Sequence, residues 1–176
     1  MNFPVRGTMR VALLLCSAAL AAACAASAPV SPTPTAAPSS GNGSCTTSNI
    51  QATGGPWGGA AGSRGADVTV KLKGATSCLL PPRPVVAILD ATGAVLVQTK
   101  PVAAASQPPL TAGAPASFSI ILSNWCDAKA KLPLRPALVL PSGAVEIAGL
   151  ALATADDLPP CNGPGQPASL SATEWD

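Results

Sequence analysis

The apolar residues of this chain occur in short runs, and glycine or proline separates nearly every run from the next. The 176 residues include 16 Gly and 20 Pro, and no segment shows the sustained spacing of an amphipathic helix. The longest run, residues 114–126, reads APASFSIILSNWC. Short runs between turn residues are typical of an all-β sandwich.

Two segments show the alternation expected of antiparallel strands with one buried face. Residues 67–73 alternate between apolar and polar side chains, and within the longest run Phe118, Ile120 and Leu122 share one face. Trp125 is an odd number of residues from each of these, so in a regular strand it would point to the opposite face. That parity predicts either a bulge after the strand or a place for Trp125 at the sandwich rim.

Turn chemistry sets the approximate limits of the other strands. Residues 90–93 read DATG and have the composition of a hairpin turn, because glycine accepts positive φ. The predicted strands cover residues 49–53, 67–73, 85–89, 94–99, 114–126, 134–140, 144–148 and 169–175. The predicted connections include a Gly-rich loop over 53–65, a Pro-rich connector over 78–84, and loops over 101–113 and 156–165.

The first 23 residues have the organisation of a secretory signal. Arg6 and Arg10 precede an apolar segment, residues 11–23, that is shorter than the ~20 residues of a membrane-spanning helix. Two interpretations of cleavage remain open. In one, residues 21–24 (AAAC) form a lipobox and Cys24 becomes a lipidated N-terminus, although alanine stands where Leu, Val or Ile is usual. In the other, an ordinary signal peptidase cuts after residue 23 and the protein is secreted.

The sequence predicts three parts: a signal peptide over 1–23, the anchor Cys24 with a disordered linker over 24–44, and a β-sandwich domain over 45–176. The linker is rich in Pro, Ser and Thr and has almost no apolar side chain larger than alanine, so it cannot bury a core. In polyproline II form it would extend by ~3 Å per residue. The third part is long enough to bury about two-thirds of its unfolded surface.

The charges do not indicate a nucleic-acid partner. The net charge of +2 equals the charge of Arg6 and Arg10, both in the signal. From Cys24 onward, eight Lys and Arg residues balance eight Asp and Glu residues. These sparse charges form no basic stripe of the kind that binds nucleic acid.

The cysteines favour an oxidising compartment. Apart from Cys16 in the signal and the candidate anchor Cys24, four cysteines remain, which allow three pairings. We favour the pairing of nearest neighbours in the chain, Cys45 with Cys78 and Cys126 with Cys161. A structural zinc site is a weaker interpretation, since the chain has neither CxxC nor histidine.

The order of several short motifs along the chain resembles that of a family of exported bacterial proteins, often lipoproteins, from GC-rich, actinobacterial-type genomes. That family is an uncharacterised domain-of-unknown-function family. The resemblance covers residues 45–176 and rests on Cys45, Ala61-Gly62, Cys78-Leu79-Leu80-Pro81, Asp90-x-x-Gly93, Leu110-x-x-Gly113-x-x-Ala116, Asn124-Trp125-Cys126 and Pro159-Pro160-Cys161-Asn162. The connector after Cys78 departs from the family's Gly-Tyr-Pro pattern. The resemblance implies an immunoglobulin-like sandwich and an envelope location, and it brings no activity.

The composition excludes much of the chemistry of common enzymes. After the signal the chain contains no His, Tyr or Met, so Ser-His-Asp and Cys-His catalysis, HExxH zinc hydrolysis and His/Met copper sites cannot form. No GxSxG, SxxK or P-loop motif occurs. The sequence therefore predicts no catalytic residue, no cofactor and no resident metal.

Two features still allow a site. Asp156 and Asp157 could form part of a weak calcium site or an acid/base pair, although adjacent carboxylates in a polar loop are more often solvated. Trp57, in the Gly-rich loop, is the candidate contact for a partner protein or a sugar, although a lone loop tryptophan more often folds inward.

These observations predict a non-catalytic, extracytoplasmic lipoprotein. It is held to the membrane through Cys24, and its β-sandwich is a binding or accessory module for an unidentified envelope protein or glycan. The alternatives are a passive spacer domain and, less favoured, a carboxylate-based enzyme acting on glycans.

Overall fold

The computed structural model describes residues 43–60, 62–101, 106–126, 130–163 and 165–176. The predicted signal peptide, Cys24 and residues 25–42 of the predicted linker lie outside them. Regular structure in the described residues is β-strand apart from one short 3-10 turn, Ala155–Asp157. The strands are β1 Ile50–Gly54, β2 Gly58–Ala60, β3 Ser63–Leu72, β4 Cys78–Leu79, β5 Val86–Leu89, β6 Val95–Gln98, β7 Pro109–Leu110, β8 Ala116–Ser123, β9 Arg135–Leu140, β10 Gly143–Ala148 and β11 Ser169–Ala172.

The main sheet follows the order β11-β8-β3-β1-β10-β9-β5-β6 and is nearly closed, as a barrel or sandwich. β2 pairs with β3 beside this path, and β4 pairs separately with β7. The all-β sandwich is confirmed, with one correction to its predicted antiparallel character. β1 pairs with β10 in parallel, with Ala52 opposite Ile147. Strand direction here depends on two segments far apart in sequence, and local alternation does not report it.

The inward faces of the strands form one core. In β8 the predicted inward residues Phe118, Ile120 and Leu122 are at most 1% exposed. Val68 and Val70 of β3 lie opposite β8 and are fully buried. Alternation in these two strands therefore predicted their buried faces correctly, because side chains on a strand point to opposite faces in turn.

Three predicted connections contain additional strand structure. The Gly-rich segment is a hairpin rather than a loop: Gly58 and Gly59 pair with the first residues of β3. The predicted connector and the predicted 101–113 loop each contribute two residues to the β4–β7 pair. Glycine and proline have no apolar alternation, so pattern reasoning does not detect these pairings. The last strand is also shorter than predicted and ends at Ala172.

Asn124 explains the parity of Trp125. β8 ends at Ser123, and Asn124 then has φ 54°, the left-handed conformation that Asn tolerates better than most residues. This turn redirects Trp125 into the core, where it is 6% exposed. The left-handed conformation of Asn124, rather than a bulge, thus turns Trp125 inward, and Trp125 lies in the core rather than at the rim.

Candidate functional site

The strand directions define two ends of the domain. β1, β5, β8 and β10 run toward one end, and β3, β6, β9 and β11 return from it. We call the end where the described chain begins, at Gly43, the proximal end, and the opposite end the distal end. Among the described residues, the distal end contains 54–60, 62–63, 89–95, 124–126, 130–134, 148–163 and 165–168. The longest strand, β3, has 10 residues and is roughly 33 Å long at ~3.3 Å per residue.

Trp57 lies at the distal end, in the connection between β1 and β2. Its indole N–H donates to the Leu150 carbonyl over 3.1 Å, and its half-buried ring packs against the core. Trp57 thereby attaches the Gly-rich hairpin to the segment after β10. A direct contact between Trp57 and a partner stays a prediction, and only the exposed part of the ring is available for it.

Asn124 connects two distal segments, a role that the sequence did not indicate. Its Oδ1 accepts a hydrogen bond from the Asn162 N–H over 2.7 Å. Its Nδ2 donates to the Gln166 carbonyl over 3.1 Å. The backbone N–H of Asn124 also faces the Gly62 carbonyl over 3.5 Å. The only sequence signal for this role is an asparagine directly after a strand, a common site of left-handed backbone.

Both predicted disulfides are present, and they lie at opposite ends. Cys45–Cys78 joins the start of the domain to β4 at the proximal end, and its two residues are 1% and 3% exposed. Cys126–Cys161 joins the segment after β8 to the long distal segment. There Cys126 is half-buried and Cys161 is exposed. The favoured pairing is confirmed, and with it the interpretation of these four cysteines as structural crosslinks.

Of the two adjacent aspartates, Asp157 uses its carboxylate to bind the local backbone, and Asp156 is contacted through its main-chain carbonyl. Asp157 Oδ2 accepts hydrogen bonds from the Thr154 N–H over 2.8 Å and from the Ala153 N–H over 3.0 Å, and so caps the 3-10 turn. These bonds and the Thr154 hydroxyl hold the pKa of Asp157 below its usual value. The Asp156 carbonyl accepts from the Arg64 guanidinium over 2.9 Å. In the described part of the chain no three His, Cys, Asp or Glu residues cluster as a metal site would require.

Asp90 organises the predicted DATG turn. Although it is 7% exposed, its Oδ1 accepts hydrogen bonds from the Thr92 hydroxyl over 2.6 Å, the Thr92 N–H over 2.8 Å and the Ala94 N–H over 3.0 Å. Gly93 has φ 88°, as the turn prediction required. The Thr92 hydroxyl chiefly, then the backbone N–H groups and the charge of Lys131, lower the pKa of Asp90 below 3.8, against the opposing effect of desolvation.

We expect Asp90→Asn to reduce the acid sensitivity of the fold. A folded-state pKa below the unfolded value of 3.8 means that the ionised carboxylate stabilises the fold above that value, and that this contribution is lost as the pH falls through the folded pKa. The midpoint temperature of thermal unfolding should therefore fall less between about pH 5 and about pH 2 in Asp90→Asn than in the wild type. Asp157→Asn should likewise reduce the acid-induced loss of stability, by an amount separate from that of Asp90→Asn. Equal acid sensitivity in wild type and Asp90→Asn would contradict this role of the carboxylate in the turn.

A groove of ≈ 710 Å³ lies between β6 and β11, the two end strands of the sheet. Its wall consists of segments 81–85, 97–101 and 167–172 and is mainly apolar. At the proximal end, the Trp175 indole N–H donates to the Pro81 carbonyl over 2.8 Å, and Arg83 forms an ion pair with Glu174. The C-terminal segment therefore links the two sides of the groove at that end.

The hydrogen-bonding pattern indicates which main-chain groups face the groove. The Thr99 N–H donates to the Val86 carbonyl on the β5 side, and the Thr173 N–H donates to the Ser119 carbonyl on the β8 side. Because N–H directions alternate along a strand, the N–H groups of Gln98 and Ala172 point the other way, into the groove. The groove thus has a strand edge on each side, a feature that the sequence did not predict.

Within the described residues, no helix is both long enough and apolar enough to cross a membrane. The candidate lipid anchor Cys24 lies outside those residues, so the tether that it would provide stays a prediction.

Comparison with known families places the domain. Residues 45–175 match the family described as Domain of unknown function (DUF4232). No match was found among curated proteins or among solved structures. The matched segment begins at the first cysteine of the proximal disulfide and includes the distal disulfide, the groove and Trp175, so it covers the whole β domain. The chain therefore belongs to the DUF4232 family of domains of unknown function.

Proposed function

We propose that this protein is a non-catalytic lipoprotein of the cell envelope that binds an extended segment of another envelope protein along the β6–β11 groove. The observation that carries the proposal is the pair of strand edges that border an apolar groove of ≈ 710 Å³. An edge strand is a template for an added strand, whose main chain supplies hydrogen bonds while pockets select its side chains.

The compartment and the tether are supported by separate features. Two disulfides are typical of proteins that mature outside the cytoplasm. The signal-like residues 1–23 and the AAAC sequence ending at Cys24 supply the route and the acceptor for lipid. The first described residue, Gly43, lies at the proximal end, so the distal loops lie at the opposite end of the domain from the residues that follow the predicted linker.

Replacement of Cys24 tests the anchor. We expect the wild-type chain to incorporate a fatty-acid analogue and to remain with the membrane fraction, whereas Cys24→Ala should incorporate none. Cys16→Ala is the matched control, because Cys16 lies within the signal and should leave labelling unchanged. Equal labelling of Cys24→Ala and wild type would eliminate the anchor and favour the secreted form.

Gln98→Pro tests the groove. Proline removes the N–H that faces the groove, and Gln98 is exposed, so neither the β5–β6 hydrogen bonds nor the core loses a contact. We expect affinity capture from solubilised envelopes to recover a partner with wild type and with Gln98→Ala, which keeps the N–H. Recovery should fall by about tenfold or more with Gln98→Pro, as one lost main-chain hydrogen bond in a strand addition would cause.

Other outcomes of the capture experiment would distinguish groove binding from binding at the distal end, from glycan binding and from a spacer role. Equal capture by Gln98→Pro and wild type would contradict groove binding, and a parallel capture with Trp57→Phe would then report whether the distal end holds the partner. Capture of a glycan instead of a protein would overturn the peptide assignment. Recovery of no partner by the wild-type chain under conditions that preserve the envelope would favour the passive spacer.

A further inference from the structure

The two disulfides differ sharply in their surroundings. Cys45 and Cys78 are buried within the hydrophobic core, at 1% and 3% exposure. Cys126 is half-buried and Cys161 is exposed, at the surface of the distal end. A disulfide exchanges only when a thiolate reaches one of its sulfur atoms, so access separates inert bridges from labile ones.

We propose that Cys126–Cys161 is a reversible thiol–disulfide exchange site that takes electrons from a dithiol reductant, while Cys45–Cys78 is a permanent crosslink. A thiolate of the dithiol attacks Sγ of the exposed Cys161, which breaks the Cys126–Cys161 bond and forms a mixed disulfide. The Cys126 thiolate that leaves takes a proton from water. The second thiol of the dithiol then attacks the first sulfur of the same dithiol, which is bonded to Cys161 in the mixed disulfide. Cys161 leaves as a thiolate and takes a proton to become a thiol. The protein gains two electrons and two protons, and the dithiol becomes a cyclic disulfide.

The surroundings of Cys126 suit its reduced form. Sγ of Cys126 lies 3.4 Å from the Gly163 carbonyl and 3.5 Å from Oδ1 of Asn124. In the disulfide that sulfur has no hydrogen to donate. After reduction its S–H faces two acceptor oxygens, so the half-buried thiol does not become an unsatisfied polar group.

Asn124 also keeps the two cysteines near each other after the bond opens. Its Oδ1 accepts from the N–H of Asn162, the residue next to Cys161, and Asn124 itself lies two residues before Cys126. With both chain segments held by one side chain, the two thiols remain at high effective concentration. Reoxidation needs a disulfide oxidant, either the cyclic disulfide formed from the dithiol or oxidised glutathione, which first forms a mixed disulfide with one of the two cysteines. The attack by the other cysteine that restores Cys126–Cys161 and releases the reduced oxidant is then intramolecular. Reduction therefore opens the distal crosslink without separating the segments that it joined.

The same site adjoins the Gly-rich hairpin. Nδ2 of Asn162 lies only 2.4 Å from where a Cβ on Gly62 would stand, so the amide rests directly on that glycine. Trp57 holds the other side of this hairpin through the Leu150 carbonyl. Because Asn124 still holds the Cys161 segment after reduction, the hairpin keeps its support on both sides in either redox state.

Differential alkylation of the folded, full-length chain tests the proposal. The protein is incubated without denaturant in graded dithiothreitol, quenched with iodoacetamide, digested and analysed by mass spectrometry. We expect label on Cys126 and Cys161 to appear about tenfold or more faster than label on Cys45 and Cys78, because only the distal bridge is reached without unfolding. Removal of the reductant in the presence of oxidised glutathione should restore Cys126–Cys161 without mixed pairings.

Two variants make the result decisive. The double variant Cys126→Ser, Cys161→Ser should retain the far-ultraviolet circular dichroism of the wild type and an intact Cys45–Cys78 bridge. Asn124→Ala should reoxidise more slowly than the wild type after reduction, because it removes the hydrogen bonds that hold the two thiols near each other. Equal labelling of both pairs, labelling of Cys45 and Cys78 first, or reduction of Cys126–Cys161 only at the rate of global unfolding would each overturn the proposal.

Discussion

Phe118→Ala is expected to lower the free energy of unfolding by about 4 kcal/mol. Phe118 is 1% exposed in the middle of β8, and Val68 of β3 lies opposite it. Its ring meets the Trp175 ring edge to face, with 5.1 Å between the centroids. Removal of the ring leaves a cavity between strands that are tied on both sides, so the core cannot collapse into it. A domain of this size has about 5–15 kcal/mol of stability in total, and the loss is a large share of that.

Urea unfolding followed by tryptophan fluorescence measures the effect of Phe118→Ala. Ser171→Ala is the matched control, because Ser171 is exposed on the outer face of β11. It should change the free energy of unfolding by less than about 0.5 kcal/mol. A loss below about 1.5 kcal/mol for Phe118→Ala would show that the core around β8 repacks to fill the space, and would contradict the expected cavity.

The double variant Cys45→Ala, Cys78→Ala is expected to lose about 4 kcal/mol through the unfolded state alone, since the bridge closes a loop with a sequence separation of 33. A further decrease in the free energy of unfolding is expected because the variant also loses contacts in the folded state. Both residues belong to the core cluster, and the bridge attaches the first described residues to β4. Truncation to alanine leaves an unfilled volume there.

The distal bridge supplies the comparison. Cys126–Cys161 has a sequence separation of 35, so the two bridges have nearly the same loop entropy. The variant Cys126→Ala, Cys161→Ala should therefore lose about 4 kcal/mol and little more, and Cys45→Ala, Cys78→Ala should lose clearly more. Thermal and urea unfolding of both variants measure the difference. Equal losses, or a larger loss at the distal bridge, would contradict the view that the proximal bridge is part of the core.

Several elements of the fold were accessible from local sequence patterns. The buried face of β8 and the β3 alternation follow from the two-residue period of a strand. The turn at Asp90–Gly93 follows from the side chain of aspartate and the conformational freedom of glycine. The nearest-neighbour disulfide pairing was favoured from chain order and is the one present.

Features that carry the proposed binding and exchange sites were not accessible in this way. The groove exists because β6 and β11, more than seventy residues apart in the chain, become the two ends of one sheet. Trp57 could have faced a partner or the core, and the carbonyl of Leu150, distant in sequence, holds it half-buried. For Asn124, the sequence indicated at most a turn, whereas its hydrogen bonds join two segments separated by tens of residues.

The sequence by itself determined where the strands with apolar alternation lie, which faces of β3 and β8 are apolar, and which histidine- and methionine-dependent sites the residues after the signal cannot form, because these depend on residue type and on neighbours one or two positions away. Tertiary structure alone decided the parallel pairing of β1 with β10, the burial of Trp125, the groove between the end strands and the contrast between a buried and an exposed disulfide. The physical reason is that burial, edge exposure and access to a sulfur atom depend on segments that meet only in the folded chain.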